Sequence, residues 1–198
     1  MVSIGLYFGS FNPIHIGHIA IAGYMLEFAG LEEIWFVVSP HNPLKKKETL
    51  LDNYQRLHMV NLATGGNDRL KASDIEFRLP VPSYTIDTLA YLEEKNPRYR
   101  FSLVMGEDNL YTLHKWKNAA ELATKCPIIV YPRPHTRKPS SPVLDQILAS
   151  ADISVVKAPF MDISGTFIRD GIRKGKDMSY FLPAPVWKYI EEMHFYQK

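Results

Sequence analysis

The feature that most constrains this fold is the alternation, kept along nearly the whole chain, of short apolar runs with segments of helical periodicity. The apolar runs predict buried strands at 2–8, 34–38, 70–72, 101–105, 127–131 and 153–156. The segments between them predict helices that begin near Ile16 and at 52–64, 83–94, 118–124, 143–150 and 164–174, with a final helix after Pro185. Strands that alternate with helices pair in parallel through right-handed crossovers. The sequence therefore predicts a doubly wound α/β fold with a mainly parallel sheet and a helical carboxyl end at about 160–198.

Length and composition fit one ordinary globular domain over residues 1–198. Hydrophobic residues at 46% and charged residues at 22% exclude the disordered and disulfide-scaffold classes. The formal net charge of +2 is too small to indicate nucleic-acid binding, and Cys126, the single cysteine, cannot form an internal disulfide. No stretch has the roughly 20 apolar residues of a membrane span, and no secretory leader is found. We expect a cytoplasmic protein with no nucleic-acid or membrane partner.

Two histidines lie three residues apart in the segment GSFNPIHIGH at 9–18, directly after the first predicted strand. In doubly wound sheets, ligands bind beyond the carboxyl ends of the strands, near the point where the strand order reverses. Gly9 lets the backbone approach a ligand closely, and the next helix presents N–H groups and a positive dipole end. The segment therefore predicts an anion site, although neither G-x-G-x-x-G nor a Walker A loop is present.

His15 and His18 leave several roles open on this pattern alone: metal ligand, general base or phosphate clamp. A metal site needs a third ligand, and neither a cysteine pair nor an H-E-x-x-H helix is present. Two imidazoles can instead donate hydrogen bonds to phosphate oxygens whose charge grows during transfer. A purely structural alternative makes His15 a helix cap and His18 an ordinary polar residue of the first helical turn.

Polar residues also follow other predicted elements at the same edge of the sheet. Gly106 and Asp108 come after a buried strand, where a carboxylate can accept hydrogen bonds from ribose hydroxyls. Arg169 lies in a helix opened by Ser164 and Thr166, which suits phosphate binding, although most helix arginines are solvated.

Two separated motifs resemble the signatures of the nucleotidyltransferase superfamily. GSFNPIHIGH at 9–18 is similar to its T/H-x-G-H motif, and ISGTFIR at 163–169 is similar to its distal I-S-x-T-x-I-R motif. Their order and their separation along the chain make the pair far more specific than either motif alone. The resemblance implies a Rossmann-like nucleotidyltransferase fold.

Two motifs in the middle of the chain narrow the resemblance. PSYTIDTL at 82–89 resembles the S-Y-T-x-D-T-L segment of the bacterial-type nicotinate (nicotinamide) mononucleotide adenylyltransferase family, and VMGED at 104–108, followed by Leu113 and Trp116, resembles its G-x-D…L…W segment. That family transfers AMP from ATP to nicotinate mononucleotide, giving deamido-NAD and pyrophosphate in NAD biosynthesis. The resemblance implies this reaction here, with Mg²⁺ accompanying ATP.

The resemblance also implies roles for particular residues. His15, His18 and Arg169 are expected to be catalytic, the histidines stabilising the triphosphate and Arg169 holding its outer phosphates. The backbone near Tyr84 and Thr85 is expected to recognise the carboxylate or amide of the pyridine, and Trp116 to stack on its ring. The residues expected to bind ATP or the mononucleotide are Gly9, Ser10, Phe11, Lys46, Tyr84, Thr85, Asp87, Gly106, Asp108, Trp116, Arg133, Ser164 and Thr166.

Some assignments have local alternatives. Thr85 and Asp87 open a helix, where caps and acidic residues stabilise the helix without any ligand. Trp116 could be a packing anchor, and Lys46 is one of three consecutive lysines, any of which could reach phosphate. Arg133, in Tyr-Pro-Arg-Pro, resembles the family's Arg-Pro on the adenine side.

The chain departs from the family pattern at two positions. Asn12 stands where many relatives have Asp, and Gly165 stands where many have Ser. The first change removes a charge from the loop and the second removes a hydroxyl from the helix start. Both histidines and Arg169 are retained, so we expect activity.

Two rival functions remain at this point. Pantetheine-phosphate adenylyltransferases share the first motif but lack the S-Y-T-x-D-T-L and tryptophan segments. A non-catalytic nucleotide sensor on the same fold is the other alternative, since a fold alone does not fix function. The sequence leaves open a homo-oligomer and the choice between the acid and the amide mononucleotide.

Overall fold

A computed structural model describes residues 1–40, 50–134 and 136–197. Within those residues one sheet has six strands, which are β1 Val2–Gly9, β2 Glu33–Val38, β3 Leu70–Ser73, β4 Tyr99–Gly106, β5 Ile128–Tyr131 and β6 Ile153–Val155. The helices are α1 Ile16–Phe28, α2 Asn53–Thr64, α3 Thr85–Lys95, α4 Glu107–Leu110, α5 Ala119–Lys125, α6 Pro142–Ser150, α7 Gly165–Arg173 and α8 Ala184–Glu192. Short 3₁₀ turns lie at Ile75–Phe77, Leu113–Lys115 and Ser179–Phe181.

The sheet confirms the predicted doubly wound topology. Its strand order is β3-β2-β1-β4-β5-β6, and each neighbouring pair runs parallel. The chain moves outward from β1 through β2 to β3, then returns to the other side of β1 with β4. The order therefore reverses between β1 and β4, and the carboxyl ends of these two strands flank the crevice where such sheets bind ligands.

Two elements differ in detail from the sequence prediction. Residues 107–110, for which no element was predicted, form the short helix α4, because Gly106 ends the strand and acidic Glu107 and Asp108 suit a first helical turn. The final helix was expected after Pro185 but begins at Ala184. Proline is tolerated in a first turn, where its missing N–H has no intrahelical partner to lose.

Apolar side chains cover both faces of the sheet. On one face α1, α2, α7 and α8 bury a cluster that includes Met25 and Ile168. On the other face α3, α5 and α6 bury a second cluster that includes Leu89 and Leu122. Successive strand residues alternate between these clusters, as a pleated strand requires. The helices therefore pack against both faces of the sheet.

A membrane-crossing helix is not found in the part of the chain that the structure describes, where no helix is both long and apolar enough.

Candidate active site

A cavity of about 560 Å³ opens at the carboxyl ends of β1, β4 and β5, beside the start of α7. It lies at the switch point of the sheet, where the sequence predicted the anion site. Ten of the predicted site residues line it: Gly9, Ser10, Phe11, His15, His18, Asp108, Arg133, Ser164, Thr166 and Arg169. The two motifs near opposite ends of the sequence therefore meet in one cleft.

The loop after β1 is shaped by a close contact between Gly9 and Phe11. Phe11 adopts a left-handed backbone conformation, with φ of 45°, and is 2% exposed. A side chain at Gly9 would come within 2.8 Å of the Phe11 ring, so glycine is needed there. The Phe11 ring in turn packs edge-on against the imidazole of His18, with centroids 5.1 Å apart. Phe11 of this loop therefore packs against the imidazole of His18.

His15 and His18 form a stacked pair at the start of α1, with ring centroids 3.7 Å apart. The backbone N–H of His15, the N-cap residue, donates to Nδ1 of His18 at 3.2 Å. Because Nδ1 accepts this bond, the proton of neutral His18 lies on Nε2, which becomes a donor. The helix start therefore fixes the tautomer of His18.

His15 is held neutral. Burial, with added repulsion from Arg133, lowers the pKa of His15 to about 3. Its Nδ1 is buried and has no hydrogen-bond partner among the described residues, although the residue lines the cleft. A buried ring nitrogen without a partner is costly unless a ligand or water completes its hydrogen bonding.

Arg169 connects α7 to the loop after β1. Its Nη1 donates to the backbone oxygen of Asn12 at 2.7 Å, and its Nη2 donates to Thr166 Oγ1 at 3.2 Å. Ser164 caps α7 by accepting the N–H of Phe167 at 3.1 Å. The guanidinium and the start of α7 therefore face the cleft together, which favours a phosphate.

Gly165 lets α7 approach the loop after β1. A Cβ at this position would lie 2.9 Å from the backbone oxygen of Asn12 and 3.2 Å from Nη1 of Arg169. The first neighbour is backbone and cannot move cheaply. Glycine at position 165 therefore permits the close contact between α7 and the loop after β1, across which Arg169 donates its hydrogen bond to Asn12.

Tyr7, Tyr131 and Arg133 form a polar network along another wall of the cleft. Arg133 donates from its backbone N–H to Glu107 Oε2 at 3.1 Å and from Nη2 to the Tyr131 hydroxyl at 3.2 Å, and its Nε lies 3.7 Å from Asp108. The Tyr131 and Tyr7 hydroxyls are 2.9 Å apart. Burial raises the pKa of both phenols, so both remain protonated at neutral pH.

Sequence reasoning missed Tyr7 and Tyr131. Both residues lie near the carboxyl ends of their strands, β1 and β5, beside the predicted crevice. That position is the signal that would have indicated them. Gly106 does not line the cavity, but a Cβ there would collide with Oδ1 of Asp108 and lie 3.1 Å from Arg133. Glycine at this position keeps the charged wall in place.

The predicted pyridine-binding residues lie outside this cavity. Tyr84 is the N-cap of α3, which begins at Thr85, and Lys117 Nζ bonds Asp87 at 2.8 Å while lying 4.7 Å from the centroid of the Tyr84 ring. Lys117 therefore connects the start of α3 to the segment that carries Trp116, which is partly buried against the second core cluster. Lys46 lies outside the described residues.

Comparison with known proteins shows the class of protein to which this fold and this cleft belong, the nucleotidyltransferases. The family model described as cytidylyltransferase-like matches residues 6–171. Proteins from Flavobacterium psychrophilum and Flavobacterium johnsoniae, each named "Probable nicotinate-nucleotide adenylyltransferase", are 54% and 53% identical over 197 residues, with 100% of this chain and of each relative covered. The chain belongs to the nicotinate-nucleotide adenylyltransferase family.

One solved structure has a fold similar to that of this chain. It is titled "Plasmodium falciparum nicotinic acid mononucleotide adenylyltransferase complexed with NaAD" and matches with a TM-score of 0.79 at 19% identity, covering 100% of this chain and 98% of that chain. At that identity the match shows that the two proteins share a fold.

Replacing Gly165 by alanine should destabilise the protein by about 1–3 kcal/mol, because the new methyl group overpacks against the Asn12 backbone. Gly23→Ala is the matched control: Gly23 lies inside α1 with nothing within 4 Å of its added Cβ, so alanine should stabilise by about 0.5–1 kcal/mol. Urea unfolding measures both variants. Equal stabilities for the two variants would refute the close packing of α7.

The lowered pKa of His15 makes stability depend on pH. Unfolded histidine titrates near 6.5, and His15 titrates at about 3 in the folded protein. Between these values the unfolded chain binds the extra proton, so the free energy of unfolding falls as pH is lowered from about 7 toward 3. From pH 7 to pH 5 the wild type should lose about 2 kcal/mol more than His15→Asn.

Urea unfolding at the two pH values measures this difference. Changing the exposed His194 to Asn serves as the control and should leave the pH dependence as in the wild type. The same pH dependence in His15→Asn and the wild type would contradict a neutral, buried His15.

Proposed function

We propose that the protein transfers AMP from ATP to nicotinate mononucleotide, giving deamido-NAD and pyrophosphate as a step of NAD biosynthesis. The observation that carries this proposal is the convergence of His15, His18 and Arg169 on one cleft at the switch point of the sheet. The family to which the chain belongs supports the choice of reaction.

The reaction is a single displacement at the α-phosphorus of ATP. An oxygen of the mononucleotide's 5′-phosphate forms the new bond to the α-phosphorus, while the bond from that phosphorus to the bridging oxygen of pyrophosphate breaks. Several negative charges meet in this step, so positioning and charge neutralisation supply most of the catalysis. The cleft offers Arg133, Arg169 and the helix starts of α1 and α7 for that purpose.

The two histidines act as hydrogen-bond donors in this proposal. His18 presents Nε2–H because its Nδ1 is occupied by the backbone of His15. Neutral His15 can donate one further hydrogen bond without bringing a second cation beside Arg133. Donors fixed before the reaction begins stabilise charge that develops during transfer.

The pyridine end is assigned to the start of α3. The N-cap Tyr84 makes no side-chain hydrogen bond to the helix, and the first N–H groups of a helix have no partner within it. These donors and the positive dipole end favour an anionic carboxylate over a neutral amide. Lys117 neutralises Asp87 nearby, so we propose a preference for nicotinate over nicotinamide mononucleotide.

Magnesium enters this proposal with ATP. No group of three or more His, Cys, Asp or Glu residues that could hold a metal occurs within the described ranges. Asp108 and Asp162 line the cleft singly, and hard carboxylate oxygens suit Mg²⁺ as direct or water-mediated ligands. Asp108 and Asp162 would hold the ion, and it would supply neutralisation of the phosphate charge.

The function is tested by measuring pyrophosphate release from Mg-ATP with nicotinate mononucleotide, nicotinamide mononucleotide or phosphopantetheine as acceptor. We expect turnover with the first, at least about tenfold lower kcat/KM with the second because the carboxylate contact is lost, and none with the third. Turnover with phosphopantetheine would support the rival enzyme. Binding of ATP with no turnover on any acceptor would support a sensor.

The site is tested in the same assay with His18→Ala. Loss of a preorganised donor should lower kcat by about 10² to 10³, with the fold unchanged by circular dichroism. His58→Ala, at a histidine of α2 outside the cleft, is the control and should retain activity. A folded His18→Ala protein with near-normal kcat would exclude His18 from the reaction.

A further inference from the structure

The turn after α8, at residues 193–197, brings a tyrosine against the loop that follows β1. Two of its residues, His194 and Tyr196, have left-handed backbone conformations, with φ of 54° and 64°. Such conformations are strained for residues other than glycine and persist where neighbouring contacts hold them. Phe195 supplies such contacts, because it is buried in the core with its ring centroid 5.5 Å from that of Tyr189. The turn is thus held by Phe195 and presents Tyr196 to the neighbouring loop.

The Tyr196 hydroxyl donates a hydrogen bond to Oδ1 of Asn12 at 2.7 Å. The backbone N–H of Leu51 donates to the same oxygen at 3.3 Å. An amide oxygen has two lone pairs, so Oδ1 accepts from both groups at once. Asn12 is 6% exposed, and loss of either donor would leave a buried oxygen with fewer partners. Tyr196 therefore helps to fix the side chain of Asn12.

Arg56 of α2 holds the backbone around this contact. The side chain is fully buried, and its Nε donates to the backbone oxygen of Leu51 at 3.0 Å while its Nη1 donates to that of Ser10 at 2.6 Å. A buried charge is costly unless polar groups compensate it, and these carbonyl oxygens do so. The backbone at Ser10 and Leu51 is thus fixed from inside the protein, and Tyr196 adds a side-chain donor to this framework.

Asn12 connects Tyr196 to the cleft. Its side-chain oxygen accepts from Tyr196, and its backbone oxygen accepts from Nη1 of Arg169 at 2.7 Å. Both oxygens belong to one residue, so a change in the side-chain contact shifts the backbone oxygen that orients the guanidinium. Arg169 lines the cleft, whereas Tyr196 lies behind Asn12 and does not line it. Tyr196 is therefore placed to act through Asn12 and Arg169 rather than on a substrate.

We propose that Tyr196 is a positioning residue that holds Asn12, and through Asn12 the guanidinium of Arg169, in the place that the phosphates of ATP require. This inference rests on the proposed function, which uses Arg169 to neutralise those phosphates. Transfer between phosphates depends on positioning, and a misplacement of about 1 Å can cost about a hundredfold in rate. A displaced guanidinium would therefore lower the rate of transfer even when both substrates still bind.

The Tyr196 hydroxyl can be removed without removing its ring. Tyr196→Phe breaks the hydrogen bond to Asn12 and keeps the ring that packs edge-on against Phe195. Tyr189→Phe is the matched control, because it removes a hydroxyl from another partly buried tyrosine, which lies in α8 and outside the cleft. Circular dichroism checks that both variants are folded.

Steady-state kinetics separate positioning from binding. We expect Tyr196→Phe to lower kcat about tenfold while the KM for ATP and the KM for the mononucleotide each change less than about threefold. Tyr189→Phe should match the wild type. Wild-type kcat in Tyr196→Phe, or an equal loss in Tyr189→Phe, would overturn the proposal, while turnover by the wild type would still uphold the function.

A double-mutant cycle tests whether Tyr196 acts through Arg169. In Arg169→Ala the guanidinium is gone, so adding Tyr196→Phe should lower kcat by less than about twofold more. Residues that act through one contact have non-additive effects, whereas independent damage to the structure is additive. A further tenfold loss in the Arg169→Ala background would overturn the proposal.

Hydrogen exchange at Leu51, followed by NMR, tests the contact without turnover. The Leu51 N–H is bonded to Oδ1 of Asn12, so it should exchange about tenfold faster in Tyr196→Phe than in the wild type and in Tyr189→Phe. Unchanged exchange at Leu51 would overturn the proposal. A wild-type protein that transfers AMP to none of the acceptors would instead overturn the proposed function, and this readout would still decide whether Tyr196 positions Asn12.

Discussion

The cleft depends on the contact between the loop after β1 and the start of α7, which is centred on Asn12. The backbone oxygen of Asn12 accepts a charge-assisted hydrogen bond from Arg169, 157 residues away, and Gly165 allows the two backbones to touch. The side-chain oxygen of Asn12 accepts from the Tyr196 hydroxyl at 2.7 Å and from the Leu51 N–H at 3.3 Å. One residue thus ties four distant parts of the chain together.

A neutral residue at position 12 suits this contact. Both donors to the side chain are neutral, and an amide oxygen can accept from each of them. Asparagine therefore satisfies the network without placing a second charge beside Arg169. The positive charge of Arg169 stays available for a phosphate in the cleft.

The sequence predicted most of the fold because its signals are local. Apolar runs, helix starts and glycine turns have a fixed period or spacing, and they located the six strands, the crevice and the two motifs that meet there. The exact helix starts at Glu107 and Ala184 depended on capping and proline placement, which shift an element by a few residues.

The residues that the sequence did not reveal are those whose roles come from contacts far apart in the chain. Arg56 and Glu76 read as ordinary charged surface residues, and only the fold shows that both are buried. Tyr196 reaches Asn12 across 184 residues, a pairing that no periodic pattern encodes. Tyr7 lies in an apolar strand, so the sequence did not indicate that its hydroxyl forms a hydrogen bond with Tyr131 at the cleft.

The central claim is that His15 and His18, held in position before the reaction begins, donate hydrogen bonds while AMP is transferred directly from pyrophosphate to the phosphate of the mononucleotide. The most direct test uses ATP made chiral at the α-phosphorus and determines the configuration of that phosphorus in the product. A single displacement predicts inversion. Retention would contradict the account, because it requires AMP to be held covalently on an enzyme nucleophile, such as His15 or His18, between two displacements.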